Sequence, residues 1–227
     1  MKGLQFFMTS KNFELPKFLP TVTVSSLDEA ESLCKILKLA KINSLEITLR
    51  PSVSFEAIEF ISMDNEINLG IGTVLKTEQL IELENKKINF VVSPGYSDAV
   101  ASYTRENKII YIPGVETSTE IIKAYENGYK LLKFFPAELS GGIEKLNAIY
   151  SVFPDIKFLC TGGINLSNYQ EYIRLPNVCA LGGSFVLPKK LINEVDSMEA
   201  INYLNSLIKT KKNRARLCLF SSRLEGV

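Results

Sequence analysis

Ser44-Leu45-Glu46-Ile47-Thr48-Leu49-Arg50 alternates without a break: the odd positions from 45 to 49 are apolar and the even ones from 46 to 50 polar. Side chains of a strand point to opposite faces in turn, so Leu45, Ile47 and Leu49 share one face and Glu46, Thr48 and Arg50 the other. A solvated edge strand shows this pattern. So does a strand whose outer face is covered by helices and whose inner face lines a polar barrel mouth. The surrounding chain favours the second. Short apolar, β-branched runs recur at Phe18–Thr23, Asn68–Gly72, Asn89–Val92, Ile109–Ile112, Lys130–Phe134, Ile156–Cys160 and Val178–Leu181. With Ser44–Leu49 they make eight, starting 20 to 26 residues apart, the length of a strand, a helix and two short loops. Ser26-Leu27-Asp28-Glu29 and Thr117-Ser118-Thr119-Glu120 have capping-box spacing, which opens a helix. Gly/Pro punctuation follows the runs at Gly70–Gly72, Pro94-Gly95, Pro113-Gly114, Gly162-Gly163 and Gly182-Gly183. Eight such units predict an α/β chain folded as a (β/α)8 TIM barrel, since a doubly wound sheet more often stops at five to seven strands. Residues 1–208 read as one barrel domain, because no low-complexity linker interrupts 10–208.

Composition narrows the chemistry. Of 227 residues 46% are hydrophobic and 22% charged, which excludes a disordered, collagenous or coiled-coil chain. The net charge of +1 is unevenly spread. Residues 209–227 hold six basic side chains and one acid, leaving the rest net acidic; this basic tail is expected to be disordered or peripheral. Neither nucleic acid nor a membrane is an expected partner. Met1–Met8 is too short an apolar patch for a signal peptide or a span. There is no histidine, which removes Ser-His-Asp and Cys-His catalysis, His-ligated metal centres and imidazole acid–base chemistry. Cys34, Cys160, Cys179 and Cys218 are scattered, so neither a disulfide framework nor a metal site is expected, and a reduced, cytoplasmic protein is the simplest reading. Any catalysis therefore falls to carboxylates, lysine, tyrosine or backbone dipoles, with no cofactor.

Ligands of a barrel bind at the C-terminal ends of the strands. Three features lie there. The polar face of 44–50 points Glu46, Thr48 and Arg50 inward, where an unpaired charge costs several kcal/mol. Lys133 stands in an apolar strand just before Phe134-Phe135-Pro136, with Glu138 beyond. Composition alone also allows an ordinary surface lysine. Burial together with a neighbouring cation such as Arg50 would favour a neutral amine able to attack a carbonyl. Thr161-Gly162-Gly163 and Gly182-Gly183-Ser184 follow the seventh and eighth strands, the usual phosphate position of this fold, although a single Gly-Gly is most often a turn.

Six motifs in order resemble one family: Glu46-Ile47-Thr48-Leu49-Arg50, Gly70-Ile71-Gly72-Thr73-Val74, Val92-Ser93-Pro94-Gly95, Lys133-Phe134-Phe135-Pro136-Ala137-Glu138, Thr161-Gly162-Gly163 and Gly182-Gly183-Ser184. The family is that of the 2-keto-3-deoxy-6-phosphogluconate (KDPG) aldolases, which includes bifunctional 4-hydroxy-2-oxoglutarate (KHG) aldolases, and the resemblance spans about residues 15–205. It implies a metal-free class I aldolase, usually trimeric, that cleaves the phosphorylated keto-acid to pyruvate and glyceraldehyde 3-phosphate. It further implies Lys133 as the Schiff-base lysine and Glu46 as general acid/base. Arg50 and Thr73 would hold the pyruvate carboxylate, with Pro94 and Phe135 as pocket walls. Thr161 would contact pyruvate or a hydroxyl, and Gly162, Gly163, Gly183 and Ser184 would cradle the phosphate. The first strand, Lys17–Thr23, departs from the family pattern of a basic residue followed by aliphatics around the proline, and the pattern does not extend over 209–227. Alternative readings are cleavage to pyruvate and glyoxylate, use of the galactonate epimer, and a phosphosugar-binding barrel without catalysis.

Overall fold

The computed structural model describes residues 13, 15–192 and 197–209. Nine strand segments form one sheet: β1 (Phe18–Val22), β2 (Ser44–Thr48), β3 (Asn68–Gly72), β4 (Phe90–Val92), β5 (Ile110–Ile112), β6 (Gly114–Val115), β7 (Leu131–Phe134), β8 (Lys157–Cys160) and β9 (Val178–Gly183). All neighbours are parallel, in the order β5-β4-β3-β2-β1-β9-β8-β7-β6. The two ends of that order are consecutive in the chain and parted only by Pro113, which has no N–H to give a ladder. Its carbonyl accepts from Lys133 N–H at 2.8 Å, while Ile112 O accepts from Ser93 N–H at 3.3 Å. β5 and β6 are thus two halves of one staggered strand, one half paired to each side. The sheet closes on itself as an eight-stranded barrel.

The expected strands are all present, with small differences at their ends. Thr23, Leu49, Asn89, Ile109, Lys130 and Ile156 fall one residue outside, and β9 runs on to Gly183. The end of β2 matters for function. Arg50 N–H turns back onto Thr48 O at 2.9 Å, so the alternation that grouped Arg50 with Glu46 and Thr48 stops at Thr48, and Arg50 is exposed.

Helices α1 (Leu27–Leu39), α2 (Phe55–Ser62), α3 (Glu78–Ile81), α4 (Asp98–Glu106), α5 (Ser118–Glu126), α6 (Gly142–Val152), α7 (Tyr169–Tyr172), α8 (Lys189–Ile192) and α9 (Ser197–Lys209) follow the strands. Ser26, Ser54, Ser97 and Thr117 cap α1, α2, α4 and α5 by accepting from the third helical N–H, which satisfies one of the orphan donors at each helix start. α9 ends on Lys209, the first residue of the expected basic tail, and 210–227 lie outside the described residues.

The core has two layers, as the alternation requires. Leu45, Ile47, Leu69, Ile71, Val91, Leu132, Phe134, Phe158 and Leu181 pack outward against helix residues such as Leu33, Leu37, Ile58 and Ile61. Each buried aliphatic contributes roughly 1.5–3 kcal/mol. Leu19, Phe90, Val92, Ile112, Leu159 and Ala180 fill the interior with Leu15, which precedes β1. Phe13 lies against Phe90, ring centroids 5.3 Å apart, and closes the floor. A Cβ at Gly70 would overlap the Phe90 ring, so only glycine leaves room for it. A register shift between Phe158 and Leu159 turns both Cys179 and Ala180 into this inner cluster.

Candidate active site

Above the apolar floor the barrel interior turns polar. Two residues beyond inward-facing Leu19 comes Thr21; β2 supplies Glu46 and Thr48, β7 Lys133, and the residue after β8 is Thr161. Glu46 is 0% exposed and Lys133 6%. Lys133 Nζ lies 3.7 Å from Glu46 Oε1, an ion pair without a direct hydrogen bond. Glu46 Oε2 accepts from the Thr21 hydroxyl at 3.4 Å, while Oε1 has no hydrogen-bond partner among the described residues. A Cβ at Gly72 would overlap Glu46 Oε1, so β3 makes room for the carboxylate by having no side chain there. One carboxylate oxygen is held and the other is free and aimed at an amine. That arrangement suits proton transfer beside a nucleophile.

The remaining expected residues lie on the same rim. Lys133 Nζ is 5.0 Å from the Phe135 ring centroid. Thr161 is buried, its Oγ1 lacks a hydrogen-bond partner, and a Cβ at Gly182 would come within 2.9 Å of its methyl. Thr73 directly follows β3 at φ 61°, a costly conformation for a β-branched residue and a common feature of binding sites. Pro94 follows β4 and is half-buried; its backbone approaches so close to Gly114 that a Cβ there would overlap it. Gly162, Gly163 and Gly183 have φ of 93°, 83° and 148°, and Ser184 is exposed just past β9.

Two expectations change. The cation expected beside Lys133 is Arg50, but the charge next to the amine is the Glu46 carboxylate. Arg50 sits beyond the strand end, where, among the described residues, it forms no ion pair. The glycines at 162 and 163, expected for anion access, are also demanded by packing. A Cβ at Gly162 would lie 2.9 Å from Pro136 Cα, and one at Gly163 would overlap Glu138 Cβ. Sequence reasoning missed Thr21, although the period of two that picked out Glu46 puts Thr21 inside as well. It also missed Gly72 and Gly182 as space-makers, because the atoms they avoid belong to other strands.

Among the described residues no group of three or more Cys, Asp or Glu side chains is arranged to hold a metal ion, and no helix is long and apolar enough to cross a membrane. Cys34, Cys160 and Cys179 are buried, and the Cys179 thiol donates to Phe158 O at 3.4 Å. Burial pushes the Cys34 thiol up to about 11, so it is protonated at neutral pH.

The sequence pattern of the KDPG and KHG aldolases matches residues 10–204. The chain is 35% identical to 2-dehydro-3-deoxy-phosphogluconate aldolase of Pseudomonas aeruginosa, over 79% of its own length and 82% of the relative's. It is 36% identical to the KHG/KDPG aldolase of Escherichia coli K12, over 82% and 84% of the two chains. A KDPG aldolase from Legionella pneumophila, crystallised with pyruvate captured as a covalent carbinolamine, superposes with a TM-score of 0.79 at 34% identity, covering 84% of this chain and 93% of that one. The similarity begins before the residues that close the barrel floor and continues into α9, and on that extent the chain belongs to the family of the KDPG and KHG aldolases.

Proposed function

We propose that the protein is a class I aldolase that cleaves 2-keto-3-deoxy-6-phosphogluconate to pyruvate and glyceraldehyde 3-phosphate. The observation that carries this reading is the wholly buried Glu46 whose unpartnered Oε1 stands 3.7 Å from Lys133 Nζ. Lys133 passes a proton to the Glu46 carboxylate beside it, the resulting amine adds to the C2 ketone to form a carbinolamine, and Glu46 returns that proton to the departing hydroxyl. Loss of water leaves a protonated imine, which withdraws electrons from C3. Glu46 takes the proton of the C4 hydroxyl as the C3–C4 bond breaks. The bonding pair moves into the imine to give an enamine, and the aldehyde departs. Glu46 then returns its proton to C3, and hydrolysis of the imine frees pyruvate and restores the amine.

Arg50 and Thr73 at the ends of β2 and β3 bind the pyruvate carboxylate; an exposed guanidinium without an ion pair among the described residues is suited to that task. Pro94 and Phe135 wall the pocket, and Thr161 meets the keto-acid. Gly162, Gly163, Gly183 and Ser184 take the phosphate on backbone amides and a hydroxyl, helped by positive φ at the three glycines. The reaction needs no metal or cofactor. Self-association as a homotrimer would cover exposed Phe55, Phe60, Met63, Leu75 and Ile81 on and beside α2 and α3. The buried, scattered cysteines favour a cytoplasmic setting. The Escherichia coli relative is named for both activities, so 4-hydroxy-2-oxoglutarate belongs beside the phosphorylated acid in any substrate test.

Borohydride reduction in the presence of pyruvate tests the chemistry directly. The expected result is one adduct, mapped to Lys133, with Lys133→Met losing both adduct and turnover while remaining folded. Label on another lysine, or none, would sink the assignment.

A further inference from the structure

The loop that carries Gly162-Gly163 is tied to the chain leaving Lys133, and the ties converge on Glu138. Ala137 N–H donates to Thr161 O at 2.8 Å and Glu138 N–H to Gly162 O at 3.0 Å. The Glu138 carboxylate, through Oε2, accepts from the Tyr172 hydroxyl at 2.7 Å and from the Asn168 side-chain amide at 2.9 Å. The same Asn168 amide donates to Gly163 O at 3.1 Å. Gly163 and Glu138 are in such close contact that a Cβ on the glycine would overlap the Glu138 Cβ. Tyr172 is 1% exposed; its phenol is pushed up by burial and by the neighbouring carboxylate, and so stays the donor throughout the neutral range. None of these side chains has a part in the chemistry above. Hydrogen bonds to a carboxylate are roughly twice as strong as neutral ones, and here two of them converge on a loop that is otherwise open to solvent.

We infer that Glu138 is a positioning residue: with Tyr172 and Asn168 it holds the Gly162-Gly163 backbone at a fixed offset from Lys133, and so sets the distance from keto carbon to distal phosphate that a substrate must span. This rests on the proposed aldolase reading. An anion held by backbone amides is fixed relative to the imine nitrogen only if the amides themselves are fixed, and amides that must be ordered as the anion arrives bind it more weakly. Charge and position act here in opposite directions. A carboxylate beside an anion site repels the anion, so removing a mere charge tightens phosphate binding, whereas removing a brace weakens it.

Glu138→Ala and Tyr172→Phe separate the two, because the second leaves the charge in place. Rates are measured on 2-keto-3-deoxy-6-phosphogluconate and on unphosphorylated 2-keto-3-deoxygluconate, alongside borohydride trapping of pyruvate on Lys133. Both variants should raise KM for the phosphorylated acid about tenfold and keep kcat within about threefold. Turnover of the unphosphorylated acid and the trapping of pyruvate should stay within about twofold of wild type. Equal losses on both acids together with lost trapping would mean that Glu138 serves only the fold, and would overturn the inference. So would a lower KM in Glu138→Ala with a silent Tyr172→Phe, which is the signature of charge alone. A wild-type protein with no preference for the phosphorylated acid would instead sink the phosphate part of the proposed function, a result read before any variant is made.

Discussion

Glu46 can stand inside the barrel because two neighbours accommodate it, one by offering a hydroxyl and one by offering nothing. Thr21 holds Oε2, and Gly72 leaves the space that Oε1 occupies. A methyl group at Gly72 must displace the carboxylate or part β2 from β3. Gly72→Ala should therefore lower kcat by about 100-fold or more. Gly95→Ala is the control, since a Cβ there meets nothing within 4 Å; it should keep full activity. Steady-state kinetics with thermal melts on both variants checks this, and an active Gly72→Ala would show that the carboxylate's place is not set by β3. The inward, buried placement of Glu46 and Lys133 was legible from alternation and from an apolar context. The inward direction read for Arg50 carries the alternation one turn too far, because alternation has no built-in end and the turn at Thr48 belongs to the backbone of the loop.

The helices are started by local chemistry, and α5 is the clearest case. Thr117 Oγ1 accepts from Glu120 N–H at 3.4 Å. Glu120 Oε2 in turn accepts from the N–H groups of Glu116 at 2.8 Å and Thr117 at 2.7 Å and from the Thr117 hydroxyl at 2.9 Å. Burial pushes the Glu120 carboxyl up, but these donors together with Lys145 outweigh it and hold the group below its ordinary value. A carboxyl depressed in the folded state contributes stability that is complete above its unfolded value of about 4.3 and fades as pH falls through the folded one. The stability advantage of the wild type over Glu120→Gln should accordingly shrink as pH falls below about 4.3, as read from melting curves. Thr117→Ala should cost about 1 kcal/mol in denaturant titrations. At α1 the same spacing has a different outcome. The Glu29 carboxylate bonds Ser25 N–H at 2.7 Å and pairs with Lys189 of α8 at 3.2 Å. A partner 160 positions away in the chain leaves no local trace in the spacing.

For the molecule as a whole, closure is the decisive event. β9 pairs with β1, and the broken β5–β6 strand joins β4 to β7, so no sheet edge is left among the described residues for a further segment to cover. The family match ends at 204, and the expected basic tail beyond Lys209 lies outside the described residues. Deleting 210–227 should keep kcat/KM within about twofold, because it removes no group assigned to the transition state. Sedimentation on the same sample reports on self-association. A tenfold loss, or dissociation, would make the tail part of an interface or a lid.

The sequence by itself determined the eight-unit rhythm, the two faces of β2 as far as Thr48, the helix starts at Ser26 and Thr117 and the chemistry left to a chain without histidine. The strand faces and helix starts depend on periods and caps spanning two to four residues, which neighbouring side chains enforce on their own; the rhythm is their recurrence every 20 to 26 residues, and the chemistry follows from composition. Only the tertiary structure decided where β2 stops, that one strand is split at Pro113, which glycines make room for Glu46, Phe90 and Glu138, and that Glu138 ties two rim loops together. Those features arise from contacts between segments far apart in the chain. Close packing makes such contacts intolerant of a single extra carbon, and nothing in a local pattern records which distant atom will come within 3 Å.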